Sequence, residues 1–313
     1  MMYIGIDVGG TNLKAGLVDP SGAIVATERT PLVFRGPEDF AKTLAELARA
    51  VLKKGGLTPG DVEYVGIGIP GAVSKGEILY TANIPMSHVP LETLFRAHLD
   101  LPLLLGNDAD CAAVGEWACG AGRGTRNFLV ATLGTGIGGG LILNGKLHTG
   151  MGAGGEVGHI VIESGGAPCN CGRKGCWEAY ASATGLIRLT KEAMAAHPES
   201  MLHTVAAENG GVEGRTAFQA AEQGDPTALA VCADYARYLA AGLTDLVNIL
   251  DPEAVALGGG VAAAPDHLLL EPVREHVARE CYARHTGHMP RILRAELGND
   301  AGIIGAAMLG RAI

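Results

Sequence analysis

The sequence predicts an α/β chain built as two related lobes, and three observations carry that prediction. Apolar strand-like runs alternate with stretches of helical periodicity along the whole chain, the pattern of sheets covered by helices. The opening of the chain recurs near its middle: Ile6-Asp7-Val8-Gly9-Gly10-Thr11 resembles Thr132-Leu133-Gly134-Thr135-Gly136-Ile137. In both places a strand, a glycine turn, a second strand and a polar-glycine turn follow one another. Finally, 313 residues are too many for one ordinary core and comfortable for two.

Taken in order, residues 3–8 read as a buried strand, Gly9-Gly10 as a turn and residues 13–18 as a second strand. Asp19-Pro20-Ser21-Gly22 is a hairpin turn before a third strand over 23–30. Residues 37–52 form a helix, with Phe40, Leu44, Leu47, Ala48, Val51 and Leu52 on one face and Gly55-Gly56 as the stop. A strand over 62–69 ends at Pro70-Gly71, a short helix covers 90–99, a strand 101–106 and a helix 108–119. The pattern then restarts, with strands over 128–133 and 138–143 closed by Asn144-Gly145. Helices are expected over 178–195, 215–223, 226–250 and 268–281, with strands at 255–257 and 291–295. The expected division is a small lobe over 1–118 and a large lobe over 119–299, with a candidate metal loop at 159–176. Gly120, Gly122 and Gly124 mark a flexible boundary, and the terminal helix, 300–313, is expected to fold back on the small lobe.

Composition narrows the function. Hydrophobic content of 48% and charged content of 18% describe a compact chain rather than a disordered one. A net charge of −9 with no basic run argues against phosphate-driven nucleic-acid binding. No apolar run reaches membrane-spanning length, since residues 238–250 are broken by Asp245. No signal peptide is expected at the start. Seven cysteines without a disulfide framework fit a cytoplasmic protein, with Cys111, Cys119, Cys232 and Cys281 as reduced thiols.

The remaining three cysteines point to a metal. His159, Cys169, Cys171 and Cys176 supply one imidazole and three thiols within eighteen residues, a full tetrahedral zinc set. Four protein ligands leave no open position, so such a zinc is structural. Gly172 and Gly175 suit the tight knuckle. Buried small thiols, or a disulfide pair plus a spare, are the plain alternative. Glu156 and Glu178 flank the set, so a metal that pins the loop also pins two carboxylates suited to a polar ligand.

Three glycine turns follow apolar strands, at Gly9-Gly10-Thr11, Gly134-Thr135-Gly136 and Gly258-Gly259-Gly260. Backbone N–H groups at such turns cradle phosphate oxygens, although each alone also reads as an ordinary turn. Asp7 beside the first turn fits a carboxylate for hydrated Mg²⁺ on nucleotide phosphates. The Thr11 hydroxyl and Lys14 add donors, unless Lys14 faces solvent on an edge strand. Asp108 reads either as a helix N-cap or as a general base for a substrate hydroxyl as the phosphoryl group leaves ATP. A helix N-terminus is expected to lower its pKa. Asn83, Glu156, His159 and Glu178 offer hydrogen bonds to further hydroxyls of a polyol.

The motifs Asp7-Val8-Gly9-Gly10-Thr11-Asn12, Asn107-Asp108, Leu133-Gly134-Thr135-Gly136-Ile137-Gly138, Gly155-Glu156-Val157-Gly158-His159, Cys169-x-Cys171-Gly172-x-x-Gly175-Cys176-x-Glu178 and Leu257-Gly258-Gly259-Gly260 occur in the order of the ROK family. The chain resembles that family of bacterial sugar kinases and repressors over nearly its whole length, and within it looks most like the glucokinases. The resemblance implies a two-lobed actin-like ATPase (ribonuclease H-like) fold with a cleft between lobes. It implies ATP and Mg²⁺ at the phosphate turns, with Asp7, Gly9, Gly10, Thr11, Asn12, Lys14, Gly134, Thr135 and Gly136 on the nucleotide and Gly258 to Gly260 near its adenosine. Asp108 matches the catalytic base. Gly71, Asn83, Asn107, Glu156, His159 and Glu178 match sugar-binding positions, with His159 using one ring nitrogen for zinc and the other for sugar. A homodimer or homotetramer is implied as well. The implied reaction is transfer from ATP to the 6-hydroxyl of a hexose, glucose first. Many glucokinases of the family carry an aromatic residue after the Asn-Leu/Ile-Pro stretch, whereas here Asn83-Ile84-Pro85 continues as Met86-Ser87-His88. N-acetylmannosamine, allose, fructose and mannose therefore stay open. A sugar-responsive repressor of the same family needs a helix-turn-helix before the core, and the first strand begins at residue 3.

Overall fold

Two five-stranded sheets carry the fold, and the computed structural model describes residues 1–81 and 83–313. The strands and helices are β1 (Met2–Val8), β2 (Asn12–Val18), β3 (Ile24–Pro31), α1 (Pro37–Lys54), β4 (Val62–Ile69), β5 (Ala72–Ser74), β6 (Glu77–Tyr80), β7 (Ser87–Val89), α2 (Leu91–His98), β8 (Leu103–Asn107), α3 (Asp108–Cys119), β9 (Phe128–Leu133), β10 (Ile137–Leu143), β11 (Lys146–Leu147), α4 (Glu178–Ala181), α5 (Ala183–Ala196), α6 (Leu202–Glu208), α7 (Thr216–Glu222), α8 (Pro226–Leu250), β12 (Ala254–Gly258), α9 (Leu270–Glu280), β13 (Arg291–Arg294) and α10 (Ala301–Met308). The first sheet has the order β3-β2-β1-β4-β8 and the second β11-β10-β9-β12-β13. Each places its third strand outermost, then its second and first, then two later strands. The repeat visible between residues 6–11 and 132–137 is thus a repeat of sheet topology. A small sheet, β5-β6-β7, accompanies them.

Local sequence accounts for the elements. In β1, Ile4, Ile6 and Val8 are buried against the core. Helix α1 starts with Pro37 at its first turn, carries Glu38 and Asp39 there and ends in Lys53 and Lys54, the charge order its dipole favours. Its apolar face, from Phe40 to Leu52, is buried, worth about 1.5–3 kcal/mol for each large side chain. Gly56, at φ 68°, closes it.

The contact pattern divides the chain into one unit of Met1–Val130, Gly140–Gly155 and Ala295–Ile313, and another of Ala131–Gly139 and Glu156–Arg294. The limits differ from a cut at 118/119, because the chain returns to the first unit twice after residue 130. Within that unit α10 lies backbone-on-backbone over the sheet. Gly5 and Gly66 are in register on β1 and β4, and a Cβ at either position collides with the Ile303 or Ala306 carbonyl of α10. The Tyr64 hydroxyl donates to the Ala307 carbonyl at 2.6 Å and accepts from Gly310 N at 3.0 Å.

Three expectations differ from the structure. The segment at 116–127 is not a loose linker. Glu116 is buried, and its carboxylate accepts from the backbone N–H groups of Ala121 (2.9 Å), Glu296 (3.0 Å) and Leu297 (2.7 Å). The helix expected over 178–195 breaks at Ser182, whose extended backbone and side chain, accepting from Gly185 N, start α5 afresh. β5, β6 and β7 were absent from the sequence reading, each being only three or four residues long. Among the described residues no helix is long and apolar enough to cross a membrane, and all seven cysteines are free of disulfides.

Replacing Glu116 with Ala strips three backbone donors of their partner and should lower stability by about 3 kcal/mol, read as a shift in urea midpoint. Arg123→Ala, which removes the exposed Arg123–Glu296 pair, should cost under about 1 kcal/mol.

Candidate functional site

In the first unit the glycine turn at 9–11 joins β1 to β2. Gly9 N donates to Asn12 O at 3.0 Å, and Thr11 O receives Leu32 N at 2.9 Å. The exposed Thr11 hydroxyl accepts from the Asn12 side-chain amide at 2.9 Å. Asp7 lies directly across the ladder from Lys14, and Lys14 across from Arg29, so the three share one face. Strand β2 is interior to the sheet and not an edge, but Lys14 is exposed on it, as its plainer reading had it. Burial pushes the Asp7 carboxyl up; Lys14 opposes this and the Asp108 charge adds to it.

Asn107, not Asp108, caps α3. Its side-chain oxygen accepts from Ala109 N at 2.8 Å and Asp110 N at 3.4 Å, and its amide donates to Gly71 O at 3.0 Å. The Asp108 carboxylate accepts the adjacent Ala109 N–H at 3.0 Å, its own N–H and the Asn107 side chain also favour its ionised form, and the residue is exposed. The expected lowering of its pKa is overturned. Protein mass around the carboxyl raises it, and the N–H groups at the helix start oppose that only in part. Gly71 has φ 148°, and a Cβ there collides with the Tyr80 carbonyl, so the turn carrying the Asn107 contact requires glycine. Asn83 is exposed. Met86, in the stretch where an aromatic residue was looked for, is 3% exposed and packed in the core.

In the second unit the metal set closes. The four ligand atoms of His159, Cys169, Cys171 and Cys176 lie within 4.8 Å of one another. Cys171 Sγ is 3.6 Å from Cys176 Sγ, and Cys169 Sγ is 3.7 Å from His159 Nδ1. Tetrahedral zinc at ordinary bond lengths separates its ligands by about 3.6–3.8 Å, so the donor set fits the ion. His159 Nδ1 faces the thiols, while Nε2 faces Glu156 Oε2 at 3.9 Å. Gly158 sets that ring in place, because a Cβ at 158 collides with the Ile137 carbonyl. The knuckle is held by Cys169 N to Arg173 O (2.9 Å) and Gly175 N to Ala167 O (2.8 Å). Glu178 Oε1 is 2.9 Å from Cys169 Sγ, and Oε2 is 3.4 Å from Ile137 N. A Cβ at Gly136 strikes Glu178 Oε2. Gly136, expected only as a phosphate turn, thereby also leaves room for the Glu178 carboxylate.

The other two glycine turns come together. Gly259, at φ 83°, rests on the Leu133 backbone, 2.8 Å from a Cβ to Leu133 N, and the break at Ser182 lets Ala183 N donate to Gly134 O at 2.9 Å and the Thr184 hydroxyl to Thr135 O at 2.7 Å. Beside them opens a cavity of about 780 Å³, floored by Phe218 and Val261 and edged by Arg215, Gln219 and Ala264. The sequence reading missed these wall residues, which belong to helices that carry no motif. It also missed Gly302, whose Cβ would stand 3.0 Å from the Asp7 carboxylate.

Duplicated five-stranded sheets, each with a glycine turn between its first two strands, define an actin-like ATPase fold. The ROK family model matches residues 3–313, and the chain belongs to that family. It is 39% identical to a glucokinase of Halalkalibacterium halodurans, over 98% of this chain and 94% of that protein. It is 38% identical to a glucokinase of Streptomyces coelicolor, over 99% of this chain and 98% of that one. Among solved structures, a ROK family glucokinase from Streptomyces griseus in complex with glucose and AMPPNP superposes with a TM-score of 0.79 at 37% identity, covering 99% of both chains.

The raised carboxyls carry a stability consequence. A folded pKa above the unfolded one means the fold penalises the ionised form, fully above the folded pKa and not at all below the unfolded one. Asp108→Asn should therefore raise the melting temperature at neutral pH, and the gain should shrink as pH is lowered into the ordinary carboxylate range; equal melting curves at neutral pH would contradict this.

Proposed function

We propose that the protein is an ATP-dependent glucose kinase, transferring the γ-phosphoryl group of ATP to the 6-hydroxyl of glucose. It is a phosphotransferase with an alcohol acceptor. The observation that carries the mechanism is the division of labour at 107–108: Asn107 takes the cap, and Asp108 stands exposed at the helix start with a carboxyl of raised pKa. In this reading Asp108 accepts the 6-hydroxyl proton as the oxygen bonds to phosphorus and the bond to ADP breaks. A loose transition state asks mainly for positioning and late proton acceptance, and a raised pKa suits that acceptance at neutral pH.

Asn83, Asn107, Glu156, His159 and Glu178 hold the remaining sugar hydroxyls, with Gly71 shaping the turn below Asn107. Asp7, Gly9, Gly10, Thr11, Asn12, Lys14 and the turn Gly134-Thr135-Gly136 serve the phosphates, and Gly258, Gly259 and Gly260 the adenosine side of the 780 Å³ cavity. Asp7, a single hard carboxylate balanced by Lys14, fits a Mg²⁺ that keeps most of its waters. When bound, that ion neutralises phosphate charge. Structural zinc in the knuckle orients His159 and Glu178. The reading includes a cytoplasmic protein that assembles as a homodimer or homotetramer. Mannose, allose, fructose and N-acetylmannosamine are the competing acceptors.

ADP release from Mg·ATP across these sugars tests the assignment; no response to glucose, with a stronger response to another hexose, would replace it. Asp108→Asn should keep glucose binding and lower kcat by about 10²–10⁴-fold. Because the base must be ionised, kcat/KM should fall as pH drops through an Asp108 pKa above the ordinary aspartate range; a limb at the ordinary value would remove the role. The chain should bind one zinc, and Cys171→Ser should release it and raise the glucose KM by about tenfold or more. An unchanged KM in the zinc-free variant would break the link between metal and sugar.

A further inference from the structure

Trp177 stands between Cys176, the last cysteine of the knuckle, and Glu178, and its indole is fully buried. The ring lies against α8 at Gly242, where a Cβ would overlap it, 2.5 Å from Nε1. The indole N–H donates to the Tyr238 carbonyl at 3.0 Å, four residues before Gly242. The ring therefore fits one turn of α8 both by shape and by hydrogen bond. Glycine is among the least favourable residues inside a helix, because its backbone loses the most freedom there. Elsewhere α8 meets its need for small residues with alanine, at 228, 230, 233, 236, 240 and 241. The indole is what position 242 accommodates.

The backbone of Trp177 is fixed too. Its N–H donates to Ile160 O at 2.8 Å, and its carbonyl accepts from Tyr180 N (3.0 Å) and Ala181 N (2.9 Å). Glu178, the next residue, stands with Oε2 3.4 Å from Ile137 N in the space left by Gly136. We infer that Trp177, docked at Gly242, is the positioning residue for Glu178: α8 sets the depth of the indole, and that depth sets where the carboxylate stands. The functional half of this inference rests on the reading of Glu178 as a ligand to a hexose hydroxyl.

Crystal structures and kinetics of Gly242→Ala and of Trp177→Phe, made separately, test it. In Gly242→Ala the indole should be displaced and Glu178 Oε2 should leave hydrogen-bond reach of Ile137 N, while zinc content stays at the wild-type level. The glucose KM should rise about tenfold or more, and kcat at saturating glucose should stay within about twofold. In Trp177→Phe, which keeps a ring but loses the N–H to the Tyr238 carbonyl, Glu178 should shift and the glucose KM should rise as well. A Glu178 that stays in place in Gly242→Ala overturns the inference. A displaced Glu178 with an unchanged glucose KM leaves the positioning intact and removes Glu178 from the sugar. If Gly242→Ala does not fold, Trp177→Phe alone cuts the tie to Tyr238; an unmoved Glu178 with wild-type KM then overturns the inference equally.

Discussion

Backbone rests directly on backbone at the places that locate this protein's functional groups, and the physical constraint there is the absence of a Cβ. Gly158 sits on the Ile137 carbonyl, Gly175 on the Glu163 carbonyl, Gly259 on Leu133 and Gly66 on the Ala306 carbonyl. A side-chain tip can swing away from a new methyl group, but a carbonyl moves only with its chain, and close-packed interiors leave no slack for that. Three of these contacts stand beside a candidate site group: Gly158 beside His159, Gly175 beside Cys176, Gly259 against the turn at 134–136. The 47 glycines are thus partly a record of required approach distances.

Electrostatics at the first turn of α3 follow from which residue takes the cap. Charge at a helix start gains about 0.3–1 kcal/mol from the dipole, and the effect fades within a turn. Desolvation of a carboxylate shifts its pKa further than that when protein surrounds it. With Asn107 holding the two N–H groups that a cap receives, the N–H groups of Ala109 and Asp108 and the Asn107 side chain offset the desolvation of the Asp108 carboxyl only in part. Asp7 meets the same pressure with a cross-strand lysine to offset it. Two neighbouring carboxyls whose ionised form the fold disfavours mark candidate functional positions.

Most of the regular structure was legible because its signals are local. Strand β4, α3 and α8 begin and end where apolar periodicity, proline and capping residues place them. The repeat of a glycine turn between two strands foretold two sheets of one topology. What failed was of two kinds. Short elements such as β5 to β7 have too few residues to show a period. Contacts across long sequence distances leave no local mark: Glu116 receives N–H groups from 296 and 297, and Trp177 meets position 242. The choice left open at Asp108, cap or base, has no local signal to decide it, since Asn107 and Asp108 are adjacent and equally suited to capping, and the structure gives the cap to Asn107. The metal set was fully legible, because four ligands within eighteen residues need no tertiary information to find each other.

That local set nevertheless depends on the rest of the fold for its use. A zinc with four protein ligands has no position for substrate, so whatever it contributes must pass through the orientation of its neighbours. The geometry divides His159 accordingly: Nδ1 belongs to the thiols and Nε2 to the side of Glu156. Occupying one nitrogen of an imidazole with a metal fixes the proton on the other, which makes Nε2 a donor of settled direction. At the opposite end of the knuckle, Glu178 is placed by Trp177 on α8 and by the space at Gly136. The loop between them carries the thiols, but the side chains of His159 and Glu178 are set by β10 at one end and α8 at the other. A flexible loop could hold zinc equally well; one tied to regular structure at both ends also holds a carboxylate and an imidazole at a fixed spacing, which is what the proposed recognition of a rigid ring of hydroxyls requires.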